Sequence, residues 1–142
     1  MVSLMSIQKN EILVKDVMLR VGLFPVLNED DLVKETLESM NQYKLGVACI
    51  INKNRKLLGV LTDGDIRRLL FKMQKPLSAI FVDDVMDYAT KSFINVKPNL
   101  SLKKALLQME QKRIWDIPVL NDDGNLEGLL HLHPAIQYVL NN

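Results

Sequence analysis

Thr62, Asp63 and Asp65 lie where an apolar segment that predicts a strand gives way to a segment that predicts a helix. A carboxylate at such a junction can accept two hydrogen bonds from neighbouring hydroxyl groups of a sugar such as ribose, and a threonine hydroxyl can reach a phosphate. The free N–H groups and the dipole of the helix favour anions at the same place. The alternative is that these residues only cap the helix, for which their types are equally suited.

Arg67 and Arg68 follow in the first turn of the same helix. Their guanidinium groups could contact a bound phosphate, because their planar fork of donors matches its oxygens. They could equally be solvated surface residues that pair with acidic neighbours. The sequence leaves both interpretations open.

His131 and His133 stand two residues apart at the end of another predicted strand, so we expect their side chains to point to the same side. Two histidines without a third ligand are a weak signal for a metal, and we expect a hydrogen-bonded role in the structure or at the rim of a ligand site. Trp115 could stack on a base or a sugar ring. The alternative for Trp115 is a partly buried aromatic in the core or at a dimer interface.

No arrangement for catalysis is indicated. No Ser, His and acid have a recognisable catalytic order, and no glycine-rich phosphate loop occurs among the six glycines. Cys49 is the one cysteine of the sequence, so an internal disulfide and a cysteine-based zinc cluster are excluded. It lies in an apolar segment, which predicts an inert core residue. We therefore expect a chain that is not an enzyme, holds no metal and requires no cofactor.

Length and charge exclude further classes of protein. The 142 residues suffice for one compact domain or two very small ones, and 48% of them are hydrophobic. With 18 Lys and Arg against 17 Asp and Glu, the chain has no basic excess for nucleic acid. No apolar run approaches the roughly 20 residues of a membrane span, and the N-terminus lacks the pattern of a signal peptide. We expect a cytoplasmic protein that binds neither nucleic acid nor membranes.

An internal repeat organises the chain. A shift of 69 positions superimposes Phe24 on Phe93 and Gly59 on Gly128, and near the start Val14–Met18 matches Val82–Met86. Each copy predicts a strand, a helix, two strands and a closing helix. The apolar residues of the closing helices are expected to face inward; they are Ile66, Leu69 and Leu70 in one copy and Ile136, Val139 and Leu140 in the other.

These elements predict an α/β (α+β) fold. A tail over residues 1–13 precedes a first β-α-β-β-α repeat over residues 14–75 and a second over residues 82–142. A unit of this size buries little surface alone, so the two repeats should pack with pseudo-twofold symmetry around a shared core.

The segment Gly59-Val-Leu-Thr-Asp-Gly-Asp65 resembles a CBS domain, and the two copies in tandem resemble a CBS pair, or Bateman module. Leu57–Arg68 and Gly128–His133 are similar to the CBS pair at the C-terminal end of arabinose-5-phosphate isomerases. Those enzymes carry an upstream isomerase domain, for which this chain has no room. Sugar nucleotidyltransferases with an N-terminal CBS pair share Thr62–Arg68 and match the His-Leu-His ending less well.

The resemblance implies roles for particular residues. In CBS pairs that bind adenine nucleotides, a Thr-x-x-Asp pattern holds the ligand, which implies this role for Thr62 and Asp65. The resemblance also implies that the opposing copy walls off the site with the residues before its proline-containing strand, which are Ile114, Trp115 and Asp116.

The second copy departs from the family pattern. His131 stands at the position of Thr62, and Pro134 stands at the position of Asp65. Proline has no side chain that could hold a ribose, so we expect at most one ribose-type site, built around the first copy.

The resemblance implies a regulatory module that binds an adenine nucleotide or a CMP-sugar in the cleft between the repeats. Its target would be arabinose-5-phosphate isomerisation, a step toward 3-deoxy-D-manno-octulosonate, by an attached or partner catalytic domain. One alternative is a ligand-free structural module that forms a homodimer through the CBS helices. Another is the regulatory module of a sugar nucleotidyltransferase.

Overall fold

The computed structural model describes residues 11–141, which form two α+β units in succession. The first unit contains α1 (Val14–Val17), β1 (Leu19–Arg20), β2 (Val26–Asn28), α2 (Val33–Tyr43), β3 (Val47–Ile51), β4 (Leu57–Thr62) and α3 (Asp63–Lys72). The second contains α4 (Leu77–Phe81), a 3-10 turn (Val85–Asp87), α5 (Leu102–Lys112), β5 (Asp116–Leu120), β6 (Leu126–His131) and α6 (Leu132–Asn141). The predicted fold class is confirmed. Residues 1–10 of the predicted tail lie outside the described residues.

Each unit is built on one antiparallel hairpin. In the first sheet, β3 pairs antiparallel with β4 and parallel with β2, so the order is β2-β3-β4. In the second sheet, β5 pairs antiparallel with β6. The predicted first strand of the second repeat is reduced there to a single parallel bridge between Val96 and Val119.

The repeats exchange their opening segments. The short strand β1 belongs to the first repeat but pairs antiparallel with β6 of the second, with Leu19 opposite Leu129. Reciprocally, Thr90 of the second repeat forms an antiparallel bridge with Val60 in β4 of the first. This reciprocity is what a twofold-like relation between the repeats requires, and it makes each sheet depend on both copies.

Two glycines allow this exchange. A Cβ atom on Gly59 would lie 3.0 Å from the carbonyl oxygen of Thr90, and one on Gly128 would lie 2.6 Å from the carbonyl oxygen of Leu19. A larger residue at either position would push the exchanged segment away from the strand. The repeated glycine is therefore explained by the close approach of two backbones.

The apolar core is continuous between the repeats. One cluster joins Phe24, Cys49 and Leu57 of the first repeat to Leu120 and Leu129 of the second. Burial, with a smaller contribution from the charge of Asp116, raises the pKa of the Cys49 thiol to about 12. Cys49 is therefore a protonated core residue, as its apolar surroundings in the sequence predict.

The closing helices differ from the prediction. No side chain of α3 is fully buried, and in α6 only Ala135 is. The expectation that their apolar residues face inward is wrong for four exposed residues, Leu70, Ile136, Val139 and Leu140. Ile66 and Leu69 are half-buried. Helical periodicity predicted an apolar face correctly, but it could not show that this face lies outside the core of the repeat pair. Within residues 11–141, none of the helices has the length and hydropathy needed to cross a membrane.

Candidate functional site

Thr62 and Asp65 form a capping box where β4 passes into α3. The backbone N–H of Asp65 donates to Oγ1 of Thr62 at 3.1 Å, and the N–H of Thr62 donates to Oδ2 of Asp65 at 3.0 Å. These bonds satisfy two N–H groups that the start of a helix leaves without intrahelical partners. The capping role considered from the sequence is therefore confirmed for Thr62 and Asp65.

The second carboxylate oxygen of Asp65 joins the two repeats. Oδ1 accepts a hydrogen bond from Arg68 Nη2 at 2.8 Å and another from Oγ1 of Thr90, in the second repeat, at 3.2 Å. Partial burial tends to raise the pKa of this carboxyl, but the hydrogen bonds from Arg68, Thr62 and Thr90 together hold the pKa below its usual value. Asp65 is therefore a carboxylate at neutral pH, and donors from both repeats converge on it.

Gly64 makes room for Arg68. A Cβ atom on Gly64 would lie 3.2 Å from Nη1 of Arg68, so the guanidinium folds back over the bare backbone of the first helical turn. Arg67 is exposed and forms no ion pair with any residue in the range 11–141. The two neighbouring arginines therefore differ, since only Arg68 is tied to the junction.

A groove opens beside Asp63. The N–H of Asp63 donates to the carbonyl oxygen of Gly46 at 3.0 Å, and a Cβ atom on Gly46 would lie 2.6 Å from Oδ2 of Asp63. The groove measures about 410 Å³, and its lining residues are Leu37, Met40, Asn41, Lys44, Leu45, Gly46 and Asp63. The first junction thus combines an ionised carboxylate, a helix N-terminus and an adjacent concave surface.

The corresponding junction of the second repeat holds an imidazole–carboxylate pair. Nδ1 of His131 lies 2.6 Å from Oδ1 of Asp116. Burial raises the pKa of Asp116; the His131 contact opposes the shift, and the negative charge of Asp63 adds to it. The charge of Asp63 at the first junction thus acts in the same direction as burial on the Asp116 carboxyl at the second.

The other predicted residues near the second junction are spread out. His133 lies in the first turn of α6, so the prediction that it shares a strand end with His131 is wrong. Trp115 is 69% exposed, which excludes the partly buried core position considered for it. Ile114 is half-buried and packs against the apolar core of the second repeat. Among the described residues, no group of three or more His, Cys, Asp or Glu side chains could hold a metal ion.

Two residues of the first junction were missed by sequence analysis. Thr90 contacts Asp65 across 25 positions of the chain, and nothing in the local sequence around Thr90 indicates that contact. Gly46 could have been found, because it precedes an apolar strand in the position where the second repeat has Trp115. The structure brings Thr90 to Asp65 and Gly46 to Asp63.

The fold and the two junctions define a tandem α+β repeat protein, and the comparisons with known proteins give its family. The family model of the CBS domain matches residues 14–72 and 82–133. The chain belongs to the CBS domain family, as two tandem copies.

Curated relatives extend the comparison. The chain is 30% identical over 124 residues to arabinose 5-phosphate isomerase KdsD of Yersinia pestis, a match that covers 87% of this chain and 36% of that protein. It is 33% identical over 127 residues to an uncharacterised protein of Helicobacter pylori strain J99, with the same coverage of 87% and 36%. The chain therefore spans about a third of the length of these relatives.

Solved structures agree on the fold. CBSX2 of Arabidopsis thaliana, determined in complex with AMP, superimposes with a TM-score of 0.80 at 26% identity and covers 92% of this chain and 97% of its own. The CBS domain pair of protein MJ0100, in complex with 5′-methylthioadenosine and S-adenosyl-L-methionine, superimposes with a TM-score of 0.75 at 18% identity over 92% of this chain and 97% of its own.

Proposed function

We propose that this CBS pair is a regulatory module that binds one nucleotide at the β4–α3 junction. The observation that carries the proposal is the Asp65 carboxylate, which accepts hydrogen bonds from Arg68 in its own repeat and from Thr90 in the other. A ligand that contacts Asp65 would act on a contact between the repeats. CBSX2, a relative of similar fold, was determined with AMP bound.

The ligand would exchange one set of hydrogen bonds for another. Two neighbouring ribose hydroxyls can donate to Oδ1 of Asp65 in place of Arg68 and Thr90. The released Arg68 guanidinium, which lies over Gly64 at the helix start, can then pair with a phosphate. The hydroxyl of Thr62 and the N–H of Gly64, in the first turn of α3, add donors for the same anion.

Regulation follows from the loss of the Thr90 contact. Thr90 is in the segment that adds to β4, so its release would alter how the second repeat packs on the first. A ligand shifts such an equilibrium only by its different affinity for the two packing states. The module would pass that shift to a catalytic domain of the same or a partner chain.

The relatives suggest which reaction is regulated. Arabinose 5-phosphate isomerase KdsD contains a region similar to this chain over 36% of its length. The module would accordingly sense an adenine nucleotide or a CMP-linked sugar and modulate arabinose-5-phosphate isomerisation in the cytoplasm. Regulation of a sugar nucleotidyltransferase is the corresponding alternative.

A second candidate function is dimerisation without a ligand. Phe71 in α3 is 86% exposed and Leu140 in α6 is 78% exposed, with Leu70 and Val139 exposed beside them. Apolar side chains grouped on two helices suit a second copy of the same chain, which would form a homodimer through these helices. Light scattering during gel filtration would measure the mass, and a monomer at about 100 μM would exclude this function.

Calorimetry with AMP, ATP and a CMP-linked sugar tests the nucleotide proposal. We expect one site per chain and at least a tenfold loss of affinity in Asp65→Asn, since a neutral amide cannot accept two hydroxyl donors as a carboxylate does. Asp123→Asn is the matched control, because it removes one charge from an exposed turn distant from the junction. Absence of heat with all three ligands, or equal affinity in Asp65→Asn, would refute the proposal.

A further inference from the structure

A second groove lies at the opposite end of β6 from the junction. It measures about 670 Å³ and is formed where α1 and β1 meet the β5–β6 turn and the β3–β4 turn. Its lining residues are Lys15, Asp16, Met18, Arg20, Val21, Arg55, Pro98, Asn121, Asn125, Leu126 and Glu127. Leu126 and His131 are the two ends of β6, which separates this groove from the second junction by about 17 Å along the strand.

Three cations line this groove without acidic partners. Lys15, Arg20 and Arg55 form no ion pair with any residue in the part of the chain that the structure describes. Of the two acids in the lining, Asp16 accepts the backbone N–H of Leu13 at 2.9 Å and is occupied as a helix cap. Glu127 is exposed on β6. The groove lining therefore carries three cationic side chains against two carboxylates, an excess of one positive charge, beside two amides.

Arg55, which lines the groove, has a strained backbone conformation. Its φ is +67°, in the left-handed region, and the matching position of the second repeat is Gly124, with φ +83°. The turn is fixed by Asn52, whose Oδ1 accepts the N–H groups of Asn54 and Lys56. Glycine would occupy this position with less strain, and the arginine adds a guanidinium group to the lining of the groove.

We propose that this groove binds the phosphate group of a small sugar phosphate, at a site separate from the nucleotide junction. The guanidinium groups of Arg20 and Arg55 suit the phosphate oxygens. The side chains of Asn125 and Glu127 suit hydroxyl groups of the sugar, which can both donate and accept.

The site is shared between the repeats. Arg20 and Arg55 belong to the first repeat, while Asn125 and Glu127 belong to the second. The carbonyl oxygen of Arg55 also accepts the N–H of Leu126 at 3.0 Å, which fixes the two turns against each other. A sugar phosphate in the groove would bridge the repeats and stabilise their present packing.

Arg55→Gly tests the site with glucose 6-phosphate as the probe and glucose as the uncharged reference. In calorimetry, the parent chain should bind glucose 6-phosphate and not glucose. Arg55→Gly should lose at least tenfold in affinity while its melting temperature stays equal or rises, because the strain at +67° is relieved. A merely structural role for Arg55 would instead lower the melting temperature.

Arg113→Gly is the matched control. Arg113 also has a left-handed backbone, with φ +54°, and the substitution removes the same charge, but it lies at the end of α5 outside the groove. Its affinity for glucose 6-phosphate should stay within twofold of the parent. Equal losses of affinity in Arg113→Gly and Arg55→Gly would show that only the overall charge of the chain matters, and this result would overturn the proposal.

Asp65→Asn separates this site from the nucleotide site. Glucose 6-phosphate should bind Asp65→Asn as it binds the parent chain, and AMP should bind Arg55→Gly as it binds the parent chain. Loss of glucose 6-phosphate binding in Asp65→Asn, or no binding to the parent chain, would overturn the sugar-phosphate site. Neither result would bear on nucleotide binding at Asp65.

Discussion

The two strand-to-helix junctions share a backbone and differ in their side chains. At the first junction, the N–H of Asp63 donates to the carbonyl oxygen of Gly46 at 3.0 Å. At the second, the N–H of Leu132 donates to the carbonyl oxygen of Trp115 at 2.8 Å. The repeated fold therefore provides the same frame twice.

The carboxyl groups at the two junctions have pKa values that are shifted in opposite directions. Asp65 lies in a ring of donors that lowers its pKa, whereas burial raises the pKa of Asp116 and His131 is its hydrogen-bonding partner. Pro134 stands where the first repeat has Asp65. A duplicated fold thus yields two positions with different side chains: a carboxylate surrounded by donors at the first, and an imidazole–carboxylate contact at the second.

Transfer of the Thr-x-x-Asp pattern should have the largest effect on this contrast. In the double variant His131→Thr with Pro134→Asp, the second junction would gain a cap hydroxyl and a carboxylate at the start of α6. We expect the calorimetric stoichiometry for AMP to rise from one to two per chain. A stoichiometry that stays at one, in a variant that melts cooperatively, would mean that the backbone frame alone does not determine a site.

Loss of the imidazole should be the largest single effect on stability. His131→Ala leaves the Asp116 carboxylate buried without its partner, and we expect about 2–3 kcal/mol less free energy of unfolding in urea. His133→Ala is the control, since His133 is exposed on α6 and should cost less than about 0.5 kcal/mol. Similar losses in the two variants would contradict the structural role given to the His131–Asp116 pair.

Removal of a helix cap should have a smaller effect on stability. The loss of stability should be similar for the two helices compared, and only AMP binding should distinguish them. Thr62→Ala and Ser101→Ala each delete an N-cap hydroxyl, from α3 and α5, and each should lower the free energy of unfolding by about 1 kcal/mol. Only Thr62→Ala should also weaken AMP binding. If Ser101→Ala weakened AMP binding equally, the loss of affinity would result from lower overall stability rather than from a lost contact with the ligand.

The pH dependence of stability should have opposite signs at the two carboxylates. The folded-state pKa of Asp65 is below 3.8, so its contribution is present above that value and is lost as the pH falls through the lower folded-state pKa. The folded-state pKa of Asp116 is above 3.8, so ionisation costs stability and the parent chain recovers it as the pH falls toward 3.8.

Urea unfolding between about pH 5 and pH 3 measures this difference. The stability advantage of the parent chain over Asp65→Asn should shrink as the pH falls, and its stability relative to Asp116→Asn should improve. The same trend in both variants would show that the two junctions do not differ in the way described.

Local patterns predicted a large part of the fold and part of the site. Alternating and helical periodicities predicted the strands and helices, because each pattern depends only on neighbours in the chain. The pairing of Thr62 with Asp65 was also predictable, since a cap and its partner are separated by one helical turn. The nucleotide itself remains a prediction.

Contacts between the repeats could not be predicted in the same way. His133 was placed on a strand because the strand was expected to run further than His131, and the exposed faces of α3 and α6 were expected inside. The basic groove requires α1, β1 and two turns from different repeats to meet. No local pattern encodes such a meeting.

The sequence by itself determined that two similar units follow each other and that one of them carries a capped, acidic helix start. Only the tertiary structure decided what surrounds that acid, because Thr90 reaches Asp65 only when the opening segment of each repeat joins the sheet of the other. Hydrogen bonds within a helical turn are fixed by short-range geometry, whereas a bond between residues 25 positions apart depends on how the whole chain packs.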